Sequence, residues 1–252
     1  MMMKKLALAI VGASTVGLSS LAAAEEFPTS VGTFDVSMTA TLATDYIWRG
    51  QSQTAGAGAI QGSLDIAHES GLYIGTWASN VDSEWTGGSS VEIDYYVGYA
   101  GSITDDIGYD LSWNTYTYPK ASDLTSKEVI ASLNGYGFTV GTKYAYDPNS
   151  ALYTWIGYDY ELPQGFGLHL AYGRTDTKDT LAVVEDNSGV VIYQDTKSKY
   201  DDWSVGVSKN FIGLDFLLAY TDTDIKSGTC EAWYGDKDYC DTNVTLSVSK
   251  SF

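Results

Sequence analysis

The sequence predicts an all-β chain: a transmembrane, antiparallel, up-and-down β-barrel of about 12 strands. Short periplasmic turns and longer extracellular loops are expected to join the strands. Three observations predict it. Apolar and polar residues alternate along segment after segment. The polar alternate positions carry charge. Short connections take turns with long ones.

The N-terminus sets the compartment. "MMMKK" is a basic start, "LALAIVGASTVGLSSL" is apolar with small residues, and "AAA" at Ala22 to Ala24 precedes acidic Glu25 and Glu26. This is the pattern of a secretory signal peptide over residues 1–24, leaving a barrel over residues 25–252. The alternative, a membrane anchor, needs about 20 apolar residues, which the stretch does not supply. No Cys lies near the cleavage site to carry a lipid.

The strands follow in order. From Phe34 to Trp48 every even position is Phe, Val, Met, Ala, Leu, Thr, Tyr or Trp. Ile60, Leu64 and Ile66 oppose Gln61, Ser63 and Asp65. Val91, Ile93, Tyr95, Val97 and Tyr99 oppose Glu92, Asp94 and Gly98. Ile107, Tyr109, Leu111 and Trp113 oppose Asp110, Ser112 and Asn114. Phe138, Val140 and Tyr144 oppose Thr139, Gly141 and Lys143. Phe166, Leu168, Leu170 and Tyr172 oppose Gly167, His169 and Gly173. Ile212, Leu214, Phe216, Leu218 and Tyr220 oppose Asp215 and Ala219. Less regular segments lie near 72–79, 128–133, 152–160 and 203–208. The last strand is "NVTLSVSKSF". Counts of ten or fourteen also fit the sequence.

The connections "HESG", "AGSITDDIG", "NGYG", "ELPQG" and "KNFIG" are short and turn-like. Those between them are mostly longer, including Arg174–Asp201 and Thr221–Thr242. This is the outer-membrane arrangement, with both chain ends on the periplasmic side.

The polar face decides between a membrane barrel and a soluble sandwich with one wet face. Asp35, Asp65, Glu92, Asp94, Asp110, Lys143, Asp159 and Asp215 all fall on it. A dry core holding so many charges would be prohibitively costly, and a water-filled lumen removes that cost. The apolar alternates then face lipid. The last strand is expected to pair with the first, and the terminal Phe252 resembles the C-terminal signal read by the outer-membrane assembly machinery.

Composition agrees. The chain has 20 Tyr, 7 Trp and only 4 Pro. Tyr and Trp suit both strands and membrane–water boundaries. Without Lys4 and Lys5, 12 basic residues face 32 acidic ones, a formal charge of −20. Such a surface repels nucleic acid.

The stretch "TDYIWRGQSQTAGAGAIQGSLDIAHESGLYIGTWASNV" resembles the start of the TorF family, also called Gcw_chp, whose members are regarded as porins from their predicted architecture. Its hallmarks fall on Trp48–Arg49–Gly50–Ser52–Gln53, on Gln61–Gly62–Asp65, and on Gly71, Tyr73, Gly75, Trp77, Ser79 and Asn80. The resemblance continues through "VEIDYYVGYAG" and "GYDLSWNTYTYP". It implies a barrel and offers no catalytic or ligand residues.

The candidate pore-lining residues are Asp45, Arg49, Asp65, Glu92, Asp94, Asp110, Lys143, Asp159, His169 and Asp215. Arg49 is expected to pair with an inward acid such as Asp94 and narrow the mouth, or else to tie the first loop to the wall. Carboxylates in a lumen favour cations. A barrel of this size is narrow enough for side chains to fill much of it, so a plugged lumen is the alternative. His68 and His169 are the only histidines. No motif places a nucleophile beside either, so no enzyme activity is expected, and no cofactor or metal set is recognisable. Cys230 and Cys240 lie in one loop of an exported chain and read as a disulfide. Acidic residues of the long loops, among them Asp186 and Asp236, serve solubility or bridge divalent ions to lipopolysaccharide.

The expected function is an outer-membrane porin-like channel for passive diffusion of small hydrophilic solutes, cation-leaning, in a Gram-negative bacterium. The expected partners are membrane lipid and lipopolysaccharide, the assembly machinery and the solutes. The rival is a non-conducting barrel that displays acidic loops for adhesion or surface structure.

Overall fold

Twelve antiparallel strands close into one barrel. The computed structural model describes residues 24–252, so the expected signal peptide lies, apart from Ala24, outside the described residues. The wall runs through Gly32–Ala43, Ala59–His68, Leu72–Asn80, Val91–Ser102, Ile107–Thr117, Ser126–Gly135, Phe138–Asp147, Ala151–Leu162, Phe166–Asp176, Lys199–Phe211, Leu214–Thr223 and Asn243–Ser251. We refer to them as the first to the twelfth strand. Each pairs with its sequence neighbours, and the twelfth closes on the first, with Ser247 opposite Ala43 and Ser251 opposite Thr39. Main-chain bonds between Phe252 and Met38, at 2.9 and 3.2 Å, end the seam. A short strand, Glu25–Thr29, folds back on Gly32–Val36 and extends that seam.

The barrel is inside out. Leu42 and Ile60 are 61 % and 71 % exposed on the outer face, whereas Glu92 and Asp94 are 3 % exposed within. Period-two alternation sends every second side chain outward, so the apolar half of each strand coats the outside. Strands of 9 to 13 residues suit a tilted crossing of a hydrocarbon layer. Aromatic rings gather outside near both rims: Phe138 lies 4.5 Å from Tyr158 at the short-turn end, and Trp113 donates to the Tyr146 hydroxyl at the other. No helix among the described residues is long and apolar enough to cross a membrane.

Inside, glycines make room for rings. A Cβ at Gly75 would overlap the Tyr96 ring, one at Gly98 the Tyr73 ring, and one at Gly141 the Trp155 ring. This gives the Gly-x-Tyr-x-Gly spacing a physical reason. Tyr73 and Tyr96 turn inward and lie over glycines of the neighbouring strand.

Two boundaries differ from expectation. The first strand ends at Ala43, not Trp48, so Asp45 and Arg49 belong to the first long connection. The ninth and tenth strands reach Asp176 and Lys199, so Arg174 and Asp201 lie in the wall and not in the expected Arg174–Asp201 connection. Short turns and long connections alternate in the expected order.

Candidate functional site: a charged lumen under an inserted hairpin

Residues 44–58 fold into the barrel instead of away from it. Ile47–Trp48 pairs with Gln51–Ser52, with Ile47 opposite Ser52 and Trp48 opposite Gln51. Arg49 and Gly50 are the two residues between, with φ of 49° and 78°. Two-residue hairpins favour a turn with positive φ at both positions. Gly50 is also crowded, since a Cβ there would stand 2.8 Å from Thr223 Cβ. The Trp-Arg-Gly motif is thus the tip of a hairpin pushed into the lumen.

Arg49 is held from several sides. Nη2 donates to Glu128 Oε1 at 2.8 Å, and both side chains are nearly fully buried. The guanidinium lies 4.2 Å from the Trp48 ring centroid and 4.3 Å from that of Tyr153. Tyr116 donates to the other Glu128 oxygen at 3.0 Å. Guanidinium stacking and bonding of this kind is specific to Arg. The expected partner Asp94 is not the one used. Glu128 takes that place because the hairpin crosses to the sixth strand.

The rest of the hairpin is tied down. Asp45 accepts from Ser52 and Thr54, each at 2.7 Å, and from Asn243 at 2.6 Å. It is a clasp between the hairpin and the twelfth strand. Gln51 donates to the Tyr200 hydroxyl at 3.1 Å and accepts from Tyr234 at 2.7 Å. Trp85 donates to the Gln53 carbonyl at 3.1 Å. Above sits a small apolar core of Leu181, Tyr200, Ile225, Cys230, Tyr239 and Cys240. Cys230 and Cys240 form the expected disulfide. The long connections therefore pack into a cap over the hairpin.

Around the hairpin the wall is charged. Lys143 is buried, its ammonium 5.7 Å from the Trp155 ring centroid. Glu92 Oε2, Asp94 Oδ1 and Asp202 Oδ2 are buried without a hydrogen-bond partner among the described residues. Tyr153 donates to the other Asp202 oxygen at 3.2 Å. Nearer the short turns, Asp65 accepts from Tyr96 and from Ser63 at 2.9 Å, and Asp110 accepts from Tyr73 at 2.7 Å. Asp215 accepts from Asn210 at 2.8 Å at the rim. Asp159 and His169 contact each other at 2.6 Å. His68 stays at a turn, against Ser70 and the Val31 carbonyl. No group of three or more metal-ligating side chains occurs among the described residues.

Glu128, Asp202, Tyr116 and Tyr153 escaped the sequence reading. Glu128 and Asp202 obey the same alternation as the acids that were found. Their strands look less regular because apolar Ile130 shares the inward face with Glu128, and because small Ser204, Gly206 and Ser208 follow Asp202 on its face.

The sequence model of a family described as "Bacterial protein of unknown function (Gcw_chp)" matches residues 28–252. The chain belongs to the Gcw_chp family. Its hallmark Trp-Arg-Gly-x-Ser-Gln run is the inserted hairpin, and the Gln-Gly-x-x-Asp and Gly-x-Tyr-x-Gly-x-Trp runs are the second and third strands. Among solved structures, the chain is similar to "KdgM porin", with a TM-score of 0.52 and 9 % identity over 86 % of this chain and 99 % of that one. It is similar also to the NanC porin, with a TM-score of 0.53 and 9 % identity over 85 % and 97 %. At this identity the likeness is one of fold. No curated protein matches the chain.

Proposed function

We propose that this chain is an outer-membrane, porin-like channel for passive diffusion of small hydrophilic solutes, with a preference for cations. The observation that carries the reading is the inverted barrel, apolar outside and lined within by Asp65, Glu92, Asp94, Asp110 and Asp202. Carboxylate oxygens left without a donor, as on Glu92, Asp94 and Asp202, are costly in a dry interior and tolerable beside water. They also favour cations in a narrow path. The similarity in fold to two proteins called porins supports the reading. The hairpin carrying Arg49 is the constriction. Residues 1–24 direct export, and Phe252 serves recognition by the assembly machinery. Lipid and lipopolysaccharide surround the wall.

One observation favours the rival, a non-conducting display barrel: the long connections pack into a cap above the hairpin. Current through purified protein in a planar lipid bilayer separates the two. Discrete conductance steps support the channel. A silent bilayer with verified insertion supports the display barrel.

A further inference from the structure

We propose a second activity in the same lumen: a serine-nucleophile acyl hydrolase centre formed by Ser208, His169 and Asp159. The three residues lie on adjacent strands, the tenth, ninth and eighth. His169 Nε2 is 2.8 Å from Ser208 Oγ, and Nδ1 is 2.6 Å from Asp159 Oδ1. One tautomer satisfies both contacts: Nδ1–H donates to the carboxylate and Nε2 accepts from the hydroxyl. That is the order nucleophile, base, orienting acid that activates a serine.

The register builds this arrangement. Asp159 is directly opposite His169, and Gly167 directly opposite Ser208. Strand geometry puts His169 two residues along from Gly167 on the same face. A Cβ at Gly167 would overlap Ser208 Oγ and stand 2.9 Å from His169 Nε2. Glycine there keeps the hydroxyl and the imidazole in contact. His169 and Ser208 are buried, whereas the Asp159 side chain is 52 % exposed. All three lie three residues from the short-turn ends of their strands, at a depth of about 10 Å. They sit at the opposite end of the barrel from the hairpin, so a solute can reach them from the short-turn side without passing Arg49.

The surroundings select the substrate class. Leu217 is directly opposite Ser208, buried, and presents an apolar wall there. Polar and charged side chains such as Asp65 and Asp110 line much of the lumen. A short acyl group against Leu217, on a hydrophilic alcohol such as an O-acylated sugar, fits this mixture; a long lipid chain does not. In the reaction Ser208 Oγ bonds to the acyl carbon as its proton passes to His169 Nε2. The ester C–O bond then breaks and the departing alcohol takes that proton. Water attacks the acyl-serine, giving its own proton to His169, and the carboxylic acid leaves as Ser208 recovers a proton. Asp159 is a positioning residue in both halves.

The test uses the full-length protein, refolded or extracted with its heat-modifiable migration intact. A fluorophosphonate probe is expected to label Ser208, located by peptide mass spectrometry. Ser208→Ala removes one oxygen atom and abolishes labelling. His169→Gln slows it by about 100-fold or more, in line with loss of a general base. Asp159→Asn slows labelling and flattens its pH profile, and Asp159→Glu restores part of the rate. Hydrolysis of p-nitrophenyl acetate is expected to follow the same order. Absence of probe on Ser208 in folded protein overturns the proposal, as does undiminished labelling of His169→Gln. If a His169 variant fails to insert, labelling of the parent protein and its loss in Ser208→Ala decide alone. Bilayer current is a separate readout, so failure here leaves the channel reading standing.

Discussion

Arg49 shows how one residue can govern the lumen. It sits in left-handed backbone, a conformation that costs most side chains of order 1–3 kcal/mol, and its surroundings hold it there. Arg49→Ala leaves Glu128 buried without its cation, at a cost of about 3–5 kcal/mol. We expect a lower temperature of heat-modifiable unfolding and a larger single-channel current, because the constriction loses its bulk. Arg49→Lys should restore little, since an ammonium cannot stack a flat face between Trp48 and Tyr153 as the guanidinium does. Asp45→Ala removes the acceptor for Ser52, Thr54 and Asn243, and should expose the hairpin to protease. An uncut hairpin in that variant would show that the clasp is dispensable. The Arg49–Glu128 pair was not legible in the sequence. The partners are 79 residues apart, and spacing carries no information about which strand an inserted loop will reach.

At the scale of elements, the hairpin itself was half legible. Arg-Gly between Ile-Trp and Gln-Ser has the length of a two-residue hairpin turn. Continued alternation through Tyr46 and Trp48 disguised it as the end of the first strand. The cap offers a pH test. Asp195 is buried, and burial alone would raise its pKa. Bonds from Lys226 and Thr229, each 3.0 Å long, and from the Lys197 amide overrule that and hold it below the ordinary carboxylate range. A depressed folded pKa stabilises above the unfolded value near 3.9, and the effect is lost as pH falls through the folded value. The cap should therefore resist an acid protease at pH 5 and yield to it near pH 2. Asp195→Asn should yield at both, and equal resistance of the two proteins would refute the assignment. Replacing Cys230 and Cys240 together by Ser should loosen the same cap by about 3 kcal/mol in the chain-entropy model, read as earlier thermal nicking of the last loop.

For the whole molecule, strand number, closure and the alternation of turns with loops were all legible, because each follows from a period of two and from local turn chemistry. The cap was not, because its core is assembled from distant connections with no periodicity. Topology is open to a labelling check. Cysteines placed at Ser122 and Gly235 should react with an impermeant reagent on intact cells, and one at Asn134 should not; reaction at Asn134 would invert the barrel. The central claim is that the polar lumen is a conduit whose carboxylates set its preference. The most direct measurement is the reversal potential of single inserted barrels in a salt gradient. The account predicts discrete steps that favour cations, and a reduced preference when Glu92→Gln and Asp94→Asn are combined. Neutralising Asp186 in an outer loop should change little, because that charge is screened within about 10 Å at 0.1 M salt. Selectivity unaltered by the double substitution, or a preference for anions, would contradict it.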